Sequence, residues 1–243
     1  MANENEKVEV RADAAAESAQ AVQVPQSIRN LHSKALAALE RNTTDIAIDI
    51  FLRCVEQCPS FSAARRNLRL TQIARFKAAN KQNSFAHRLS SLTGALQTMK
   101  VKALEKAGKF EEALVESEKL MLIDPLNLAF VKLLAQVAIK AGHAEDGLMT
   151  AEIVREHLPP GNLPVVELLG RLYFDVKNYR KAREFLERVH RARPQDAAIA
   201  SMLKNSEALG TLDSGWDAAE KGGNFRDALA NKAEAVKLEQ ESK

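Results

Sequence analysis

Prolines that end amphipathic helical stretches recur along this chain at a nearly constant interval, and this recurrence constrains the fold more than any other feature. Pro59, Pro125, Pro159 and Pro194 are 66, 34 and 35 residues apart, so the first interval spans about two periods. Proline cannot continue a helix, because it lacks the amide hydrogen and clashes with the preceding turn. A period of about 34 residues predicts repeated helical hairpins, each of which needs a stacked neighbour to bury its apolar face.

Small and apolar residues recur at fixed positions when the copies are aligned with each proline at repeat position 32. Position 8, in the first helix, holds Ala35, Val101, Ala135 and Gly170. Position 20, in the second helix, holds Ala47, Ala113, Gly147 and Ala182. Position 27 holds Cys54, Leu120, Val154 and Val189. Because small side chains let two backbones approach closely, positions 8 and 20 predict tight contacts within each hairpin, and position 27 predicts packing against the next helix.

This pattern resembles the tetratricopeptide repeat. The best copy, 163–196, carries the family's signature positions at Leu169, Gly170, Tyr173, Tyr179, Ala182 and Pro194. The copy at 94–127 matches through Gly108, Phe110, Ala113 and Pro125, whereas the first copy has Lys34 and Thr44 in place of the usual leucine and aromatic residue. The resemblance implies an all-α solenoid of helical hairpins that winds as a right-handed superhelix.

The chain divides into eight predicted segments. Residues 1–27 carry two basic and five acidic side chains and little apolar content, which predicts a disordered acidic arm. Repeats are predicted at 28–61, 94–127, 128–161 and 163–196, and 62–93 is interpreted as a degenerate basic repeat or linker. Residues 197–210 are predicted to form a capping helix, and 211–243, with Trp216, a helical C-terminal tail.

Composition and missing motifs exclude several classes of protein. Aromatic residues make up 5% of the chain and glycine only 10 residues, which argues against an all-β fold. No apolar run approaches the ~20 residues that span a bilayer, and the first residues lack the pattern of a secretory signal, so we expect a cytoplasmic protein. Because nucleotide-binding, hydrolase and metalloprotease motifs are missing, we predict no enzyme activity, no cofactor and no metal. An enzyme with accessory repeats would require a longer chain.

The two cysteines, Cys54 and Cys58, lie four residues apart on one predicted helix. A metal site or a redox pair is one interpretation of this spacing. We favour core packing, because no further cysteine or histidine follows at a spacing typical of metal ligands.

The family resemblance implies that partners bind to the concave surface formed by the first helix of each repeat. The residues at those positions that we predict to contact a partner are Met99, Lys102, Lys132, Leu133, Gln136, Lys140, Arg171 and Phe174. Their mixture of cationic and apolar side chains favours a peptide or helix with acidic and aliphatic residues. Gln136 and Leu168 replace the asparagines of the family's carboxylate clamp, so recognition of an acidic chaperone tail is not expected. Self-association through the solenoid ends is left open.

Charge is distributed unevenly. The whole chain carries 35 basic and 32 acidic side chains, yet residues 57–104 contain nine basic and no acidic ones. We interpret seven of these as a basic patch: Arg65, Arg66, Arg69, Arg75, Lys77, Lys81 and Arg88. The alternative function is therefore binding of a polyanion such as RNA. Coverage of the patch by an acidic protein surface or by the chain itself is the competing interpretation, and we rank it above nucleic acid.

Overall fold

The computed structural model describes residues 24–79 and 92–220, with the side chains of 212–220 left aside. Over these ranges the chain is all α and contains ten helices. They are α1 (Gln26–Glu40), α2 (Thr44–Gln57), α3 (Ser62–Ala78), α4 (Ala95–Lys106), α5 (Phe110–Ile123), α6 (Leu128–Lys140), α7 (Ala144–Glu156), α8 (Leu163–Asp175), α9 (Tyr179–Ala192) and α10 (Ala197–Glu220). Four antiparallel hairpins, α1–α2, α4–α5, α6–α7 and α8–α9, confirm the predicted helical-hairpin fold.

Each hairpin closes with the same three-residue turn. Its central residue has positive φ in every copy, at Asn42 (57°), Gly108 (73°), Gly142 (82°) and Lys177 (62°). The next amide donates back to the first helix, as in His143 N to Ala138 O at 2.8 Å, which satisfies a carbonyl that the helix end leaves without a partner. Glycine adopts this left-handed conformation without a steric penalty, whereas Lys177 does not.

The four aligned prolines all follow the second helix of a hairpin. Pro59 comes two residues after the end of α2, Pro125 two after α5, Pro159 three after α7 and Pro194 two after α9. Their predicted role in ending these helices is therefore confirmed.

The small repeat positions mark the closest approach of the paired helices. Every residue at positions 8, 20 and 27 is buried. A Cβ added at Gly147 would lie 3.0 Å from the Ala135 Cα, so position 20 of this copy contacts the backbone at position 8. At Gly170 an added Cβ would lie 3.0 Å from the Leu186 side chain. The predicted close contacts are confirmed at these two hairpins.

The array departs from regular stacking at α3. This helix packs on α2, as expected from chain order, but it also packs against α5 and α7, the second helices of the next two hairpins. Ala64 and Leu68 belong to an apolar core shared with α1 and α2, whereas Ile73 and Phe76 join the main core built by α4 to α10. The helix α3 is therefore buried on two faces, and it connects the core of α1 and α2 with the main core.

The helix α10 packs on α9 and is the last helix among the described residues. It extends from Ala197 to Glu220 and is therefore longer than the capping helix predicted at 197–210. Residues 1–23 of the predicted arm and 221–243 of the predicted tail lie outside the described residues. No helix in the described ranges combines the length and hydropathy needed to cross a bilayer.

Candidate functional site

The first helices of three consecutive hairpins lie side by side. Lys140 Nζ on α6 donates to Glu105 Oε1 on α4 at 2.8 Å, and α6 packs against α8. Equivalent repeat positions on these helices therefore share one surface. We call it the first-helix face and define it by Lys102, Lys132, Gln136, Lys140 and Arg171.

Four of these five side chains are exposed, and the fifth is half-buried. Lys102, Lys132 and Gln136 are exposed, and Lys140, also exposed, is paired with Glu105 of α4. Arg171 is held by Glu167 of its own helix, with Nε to Oε1 at 3.0 Å, and its Nη1 contacts the Met202 sulfur of α10. The structure thus leaves Lys102 and Lys132 as the exposed cations of this face for which no ion pair is seen among the described residues.

Glu167 reduces the positive charge at the α8 end of the first-helix face. Partial burial alone would raise the pKa of this carboxyl, but hydrogen bonds from Arg193 and Arg171 outweigh burial and hold the pKa below its usual value. Glu167 is therefore anionic at neutral pH and compensates Arg171. The cationic character is concentrated on α4 and α6.

Leu133 is wrong as a predicted contact residue. It is 7% exposed and belongs to the main core, because repeat position 6 packs against the preceding hairpin. Phe174 is half-buried and packs edge-on against Tyr179, with ring centroids 5.5 Å apart. It offers only part of its ring to a partner.

The predicted contact residue Met99 belongs to an exposed apolar stripe on α4, of which the sequence analysis missed Leu92 and Leu96. Leu96 is 81% exposed and Met99 67%, whereas their counterparts at positions 3 and 6 of the next copy, Phe130 and Leu133, are 4% and 7% exposed. Leu92, in the helical turn just before α4, is 74% exposed and continues the stripe at a helical spacing. Since α3 packs against α2, α5 and α7, no described helix covers this side of α4. The spacing of Leu92, Leu96 and Met99 at i, i+4 and i+7 is the sequence pattern that could have predicted this stripe.

The predicted basic patch is not a continuous surface. Arg65 and Arg69 are wrong as patch members, because both are completely buried between α3, α5 and α7. Their partners, Glu118 and Asp146, lie 49 to 81 residues away along the chain, which is why the local charge count suggested an exposed patch.

The buried arginines form a closed ion cluster. Arg65 Nε donates to Glu118 Oε1 at 2.9 Å, and Arg69 Nη2 donates to Glu118 Oε2 at 2.6 Å. Arg65 also donates to Asp146 through Nη1, and Arg69 Nη1 donates to Gln72 Oε1 at 2.5 Å. Burial lowers the pKa of Arg69, and the Glu118 carboxylate opposes that shift. Two cations and two anions neutralise each other here, as buried charges require.

The remaining patch residues are engaged or lie elsewhere. Arg75 donates to Asp45 Oδ1 at 2.9 Å and to the Leu122 carbonyl, and Lys77 is 2.9 Å from His157 Nδ1. Arg66 is exposed. Lys81 and Arg88 lie outside the described residues. Among the described patch residues, Arg65 and Arg69 are therefore buried, and Arg75 and Lys77 contact groups of this chain.

The cysteines lie in the apolar core of α1 to α3. Cys54 and Cys58 are both buried and carry free thiols. Burial, with a contribution from Cys58, raises the pKa of Cys54 to about 11, so the thiolate is disfavoured. No metal-binding cluster occurs among the residues that the structure describes. Core packing thus remains the interpretation that the geometry favours.

A shallow cleft of about 370 Å³ between the end of α2 and the α4–α5 hairpin gathers four carboxylates. Three of them have cationic or basic neighbours: Glu116 bonds Lys100 and Lys119, Glu112 bonds Lys109, and Glu111 contacts His143. Burial alone would raise the pKa of Glu116, but hydrogen bonds from Lys119, Gln97 and Lys100 hold it at about 2. These pairings are typical of a charged helix surface rather than of catalytic carboxylates.

The hairpins and their shared turn define an all-α array of stacked helical hairpins. No protein-family model matches the chain, and no curated protein matches it. Solved structures do match, and those described below are all tetratricopeptide repeat proteins, the class that the sequence resemblance predicted.

Three of these structures illustrate the likeness. The first tetratricopeptide domain of Spaghetti (RPAP3), bound to the HSP90 peptide SRMEEVD, is 20% identical over 49% of this chain and 95% of its own, with a TM-score of 0.42. A repeat protein from Parabacteroides merdae is 13% identical over 81% of this chain and 77% of its own, with a TM-score of 0.42. YrrB, described as having an unusual peptide-binding site, is 18% identical over 72% of this chain and 90% of its own, with a TM-score of 0.38. Likenesses at identities and TM-scores this low carry no functional argument.

Proposed function

We propose that this protein is a non-catalytic scaffold that binds a protein partner on its first-helix face. The observation that carries this proposal is the exposure of Lys102 on α4 and Lys132 on α6, together with the exposed apolar side chains of Leu96 and Met99 on α4. The helices that present these groups are fixed by their hairpin partners, so a partner meets a surface that needs little ordering on binding.

The chemistry of this surface specifies the class of partner. Lysines attract carboxylates, and exposed leucine and methionine side chains are stabilised by contact with aliphatic groups. A peptide or helix that carries acidic and aliphatic residues satisfies both requirements. A cytoplasmic location and the absence of a cofactor stay predictions.

Binding of RNA through the basic segment is disfavoured. Arg65 and Arg69 are enclosed by α5 and α7, so they cannot contact phosphates, and Arg75 and Lys77 already contact groups of this chain. Contacts to phosphates contribute most of the affinity of proteins for nucleic acids. With these four cations buried or already paired, the basic segment has fewer groups that can make such contacts.

Affinity purification of the tagged full chain, with nuclease treatment, tests the proposal. The test variant is Lys102→Glu and Lys132→Glu. The control, Arg53→Glu and Arg180→Glu, changes the net charge equally at exposed sites away from the first-helix face. We expect quantitative mass spectrometry to show at least about a tenfold loss of specific partners with the test variant alone, since like charges across an interface are strongly unfavourable. Equal recovery with both variants would refute the assignment of this face.

A further inference from the structure

The contact that α3 makes with the repeats is unusually polar for a buried surface. Eight residues of this helix are buried, and half of them are polar or charged: Arg65, Arg69, Thr71 and Gln72. Interfaces between parts of a protein that separate are more polar than interfaces that stay closed. The composition of this contact is therefore that of a reversible interface.

Polar atoms at this contact are incompletely paired. Four buried atoms have no hydrogen-bond partner among the described residues: Arg65 Nη2, Arg69 Nε, Gln72 Nε2 and Thr150 Oγ1, the last one turn from Asp146 on α7. These atoms regain hydration when α3 leaves, as do the carboxylates of Glu118 and Asp146. Desolvation of the buried charges offsets much of their mutual attraction. The ion cluster therefore stabilises the packing of α3 on α5 and α7 less than an apolar contact of the same size would.

The two carboxylates recognise a specific helical pattern. Glu118 accepts from both arginines through different oxygens, and Asp146 accepts from Arg65. Residues four apart lie on one face of a helix, so only a helix with arginines at i and i+4 fills both positions. Lysine lacks the planar fork with several donors that this geometry uses.

Apolar side chains complete the pattern. Ile73 and Phe76, eight and eleven residues after Arg65, lie on the same side of α3 and enter the core of the repeats. The ligand that fits the α5–α7 surface is thus an amphipathic helix with an arginine pair at one end and an aliphatic and aromatic pair at the other.

We propose that the surface formed by α5 and α7 is a binding site for an arginine-bearing amphipathic helix. The helix α3 occupies this site as an intramolecular ligand, and a partner helix of the same pattern replaces it. The site lies on the second helices of the hairpins and is separate from the first-helix face. Because α3 belongs to the same chain as its binding site, it competes with a partner helix at an effective concentration of about 1 mM. A partner must therefore bind tightly or be abundant to displace α3.

Hydrogen exchange of the full chain tests whether α3 opens independently. Glu118→Gln leaves the buried arginines with one carboxylate fewer, so we expect α3 amides to exchange at least about tenfold faster while those of α6 and α8 keep their rates. Glu112→Gln, the same change at an exposed site of α5, should leave all rates unchanged. Equal acceleration of α3, α6 and α8 by Glu118→Gln would overturn the proposal.

Binding of a fluorescent peptide of residues 61–79 tests the receptor site. We expect the full chain with Arg65→Ala and Arg69→Ala to bind this peptide at least about tenfold more tightly than the wild-type chain, whose own α3 competes. A peptide with both arginines replaced by alanine should not bind. Failure of the natural peptide to bind the variant, or equal binding of both peptides, would overturn the proposal.

The wild-type chain supplies a second readout if the double variant loses its helicity. Excess natural peptide should then accelerate hydrogen exchange of α3 in the wild-type chain, because the peptide captures the open form. Unchanged exchange at saturating peptide would likewise overturn the proposal.

Discussion

Substitution of Gly147 by alanine tests the close approach within the repeats. The added Cβ would lie 3.0 Å from the Ala135 Cα and 3.2 Å from its carbonyl oxygen, and backbone atoms cannot move aside as a side chain can. Overpacking of this kind costs about 1–3 kcal/mol. Alanine favours the helix over glycine by about 1 kcal/mol, so the expected net loss is about 1 kcal/mol of unfolding free energy.

Two other helical glycines provide matched controls. An alanine Cβ at Gly170 would approach the side chain of Leu186, which can shift, so we expect a change near zero. At Gly210 the nearest atom is the Tyr179 Cβ at 3.4 Å, an ordinary contact, so Gly210→Ala should stabilise α10 by about 0.5–1 kcal/mol.

Urea titrations followed by circular dichroism measure these differences. The predicted order of stability is Gly210→Ala above Gly170→Ala above Gly147→Ala. Each kcal/mol corresponds to a shift in Tm of about 2–4 °C for a domain of this size. If Gly147→Ala were as stable as Gly210→Ala, the claim that position 20 contacts the backbone at position 8 would be refuted.

Three further predictions follow from individual residues. Lys177→Gly should raise the unfolding free energy by about 1 kcal/mol in urea titrations, because Lys177 holds a positive φ that glycine adopts freely; equal stability would contradict the turn geometry. Since the pKa of Glu116 is depressed to about 2, its contribution to stability is present above pH 4.5 and is lost as pH falls toward 2. Glu116→Gln should flatten acid-unfolding curves in that window, and an unchanged curve would count against the Lys100 and Lys119 pairing. Cys54 and Cys58 should resist a thiol reagent in the native protein and both react in urea; rapid native reaction would contradict their burial.

Periodic features of the fold were predictable from the sequence. The prolines and the small residues at positions 8 and 20 act within one hairpin or between neighbours, so their spacing along the chain reports their spatial role. The turns at Gly108 and Gly142 are visible for the same reason. Lys177 adopts the same conformation although no glycine marks that position of the turn.

The position of α3 was not predictable from local patterns. Its charge suggested a solvent-exposed cationic surface, since no acidic residue occurs between 57 and 104. The carboxylates that neutralise Arg65 and Arg69 come from α5 and α7, and only the tertiary fold brings them together. Leu133 was assigned to the first-helix face by its repeat position, yet stacking of hairpins buries that position wherever a preceding hairpin is present.

Arginine and lysine footprinting of the native full chain tests the central claim most directly: that the chain encloses its own basic helix and leaves the first-helix face open. Phenylglyoxal modifies accessible arginines, acetylation modifies accessible lysines, and mass spectrometry locates both. The account predicts that Arg65 and Arg69 stay unmodified while Arg53, Lys102 and Lys132 react. Modification of Arg65 and Arg69 as fast as Arg53, or protection of Lys102 and Lys132, would contradict it.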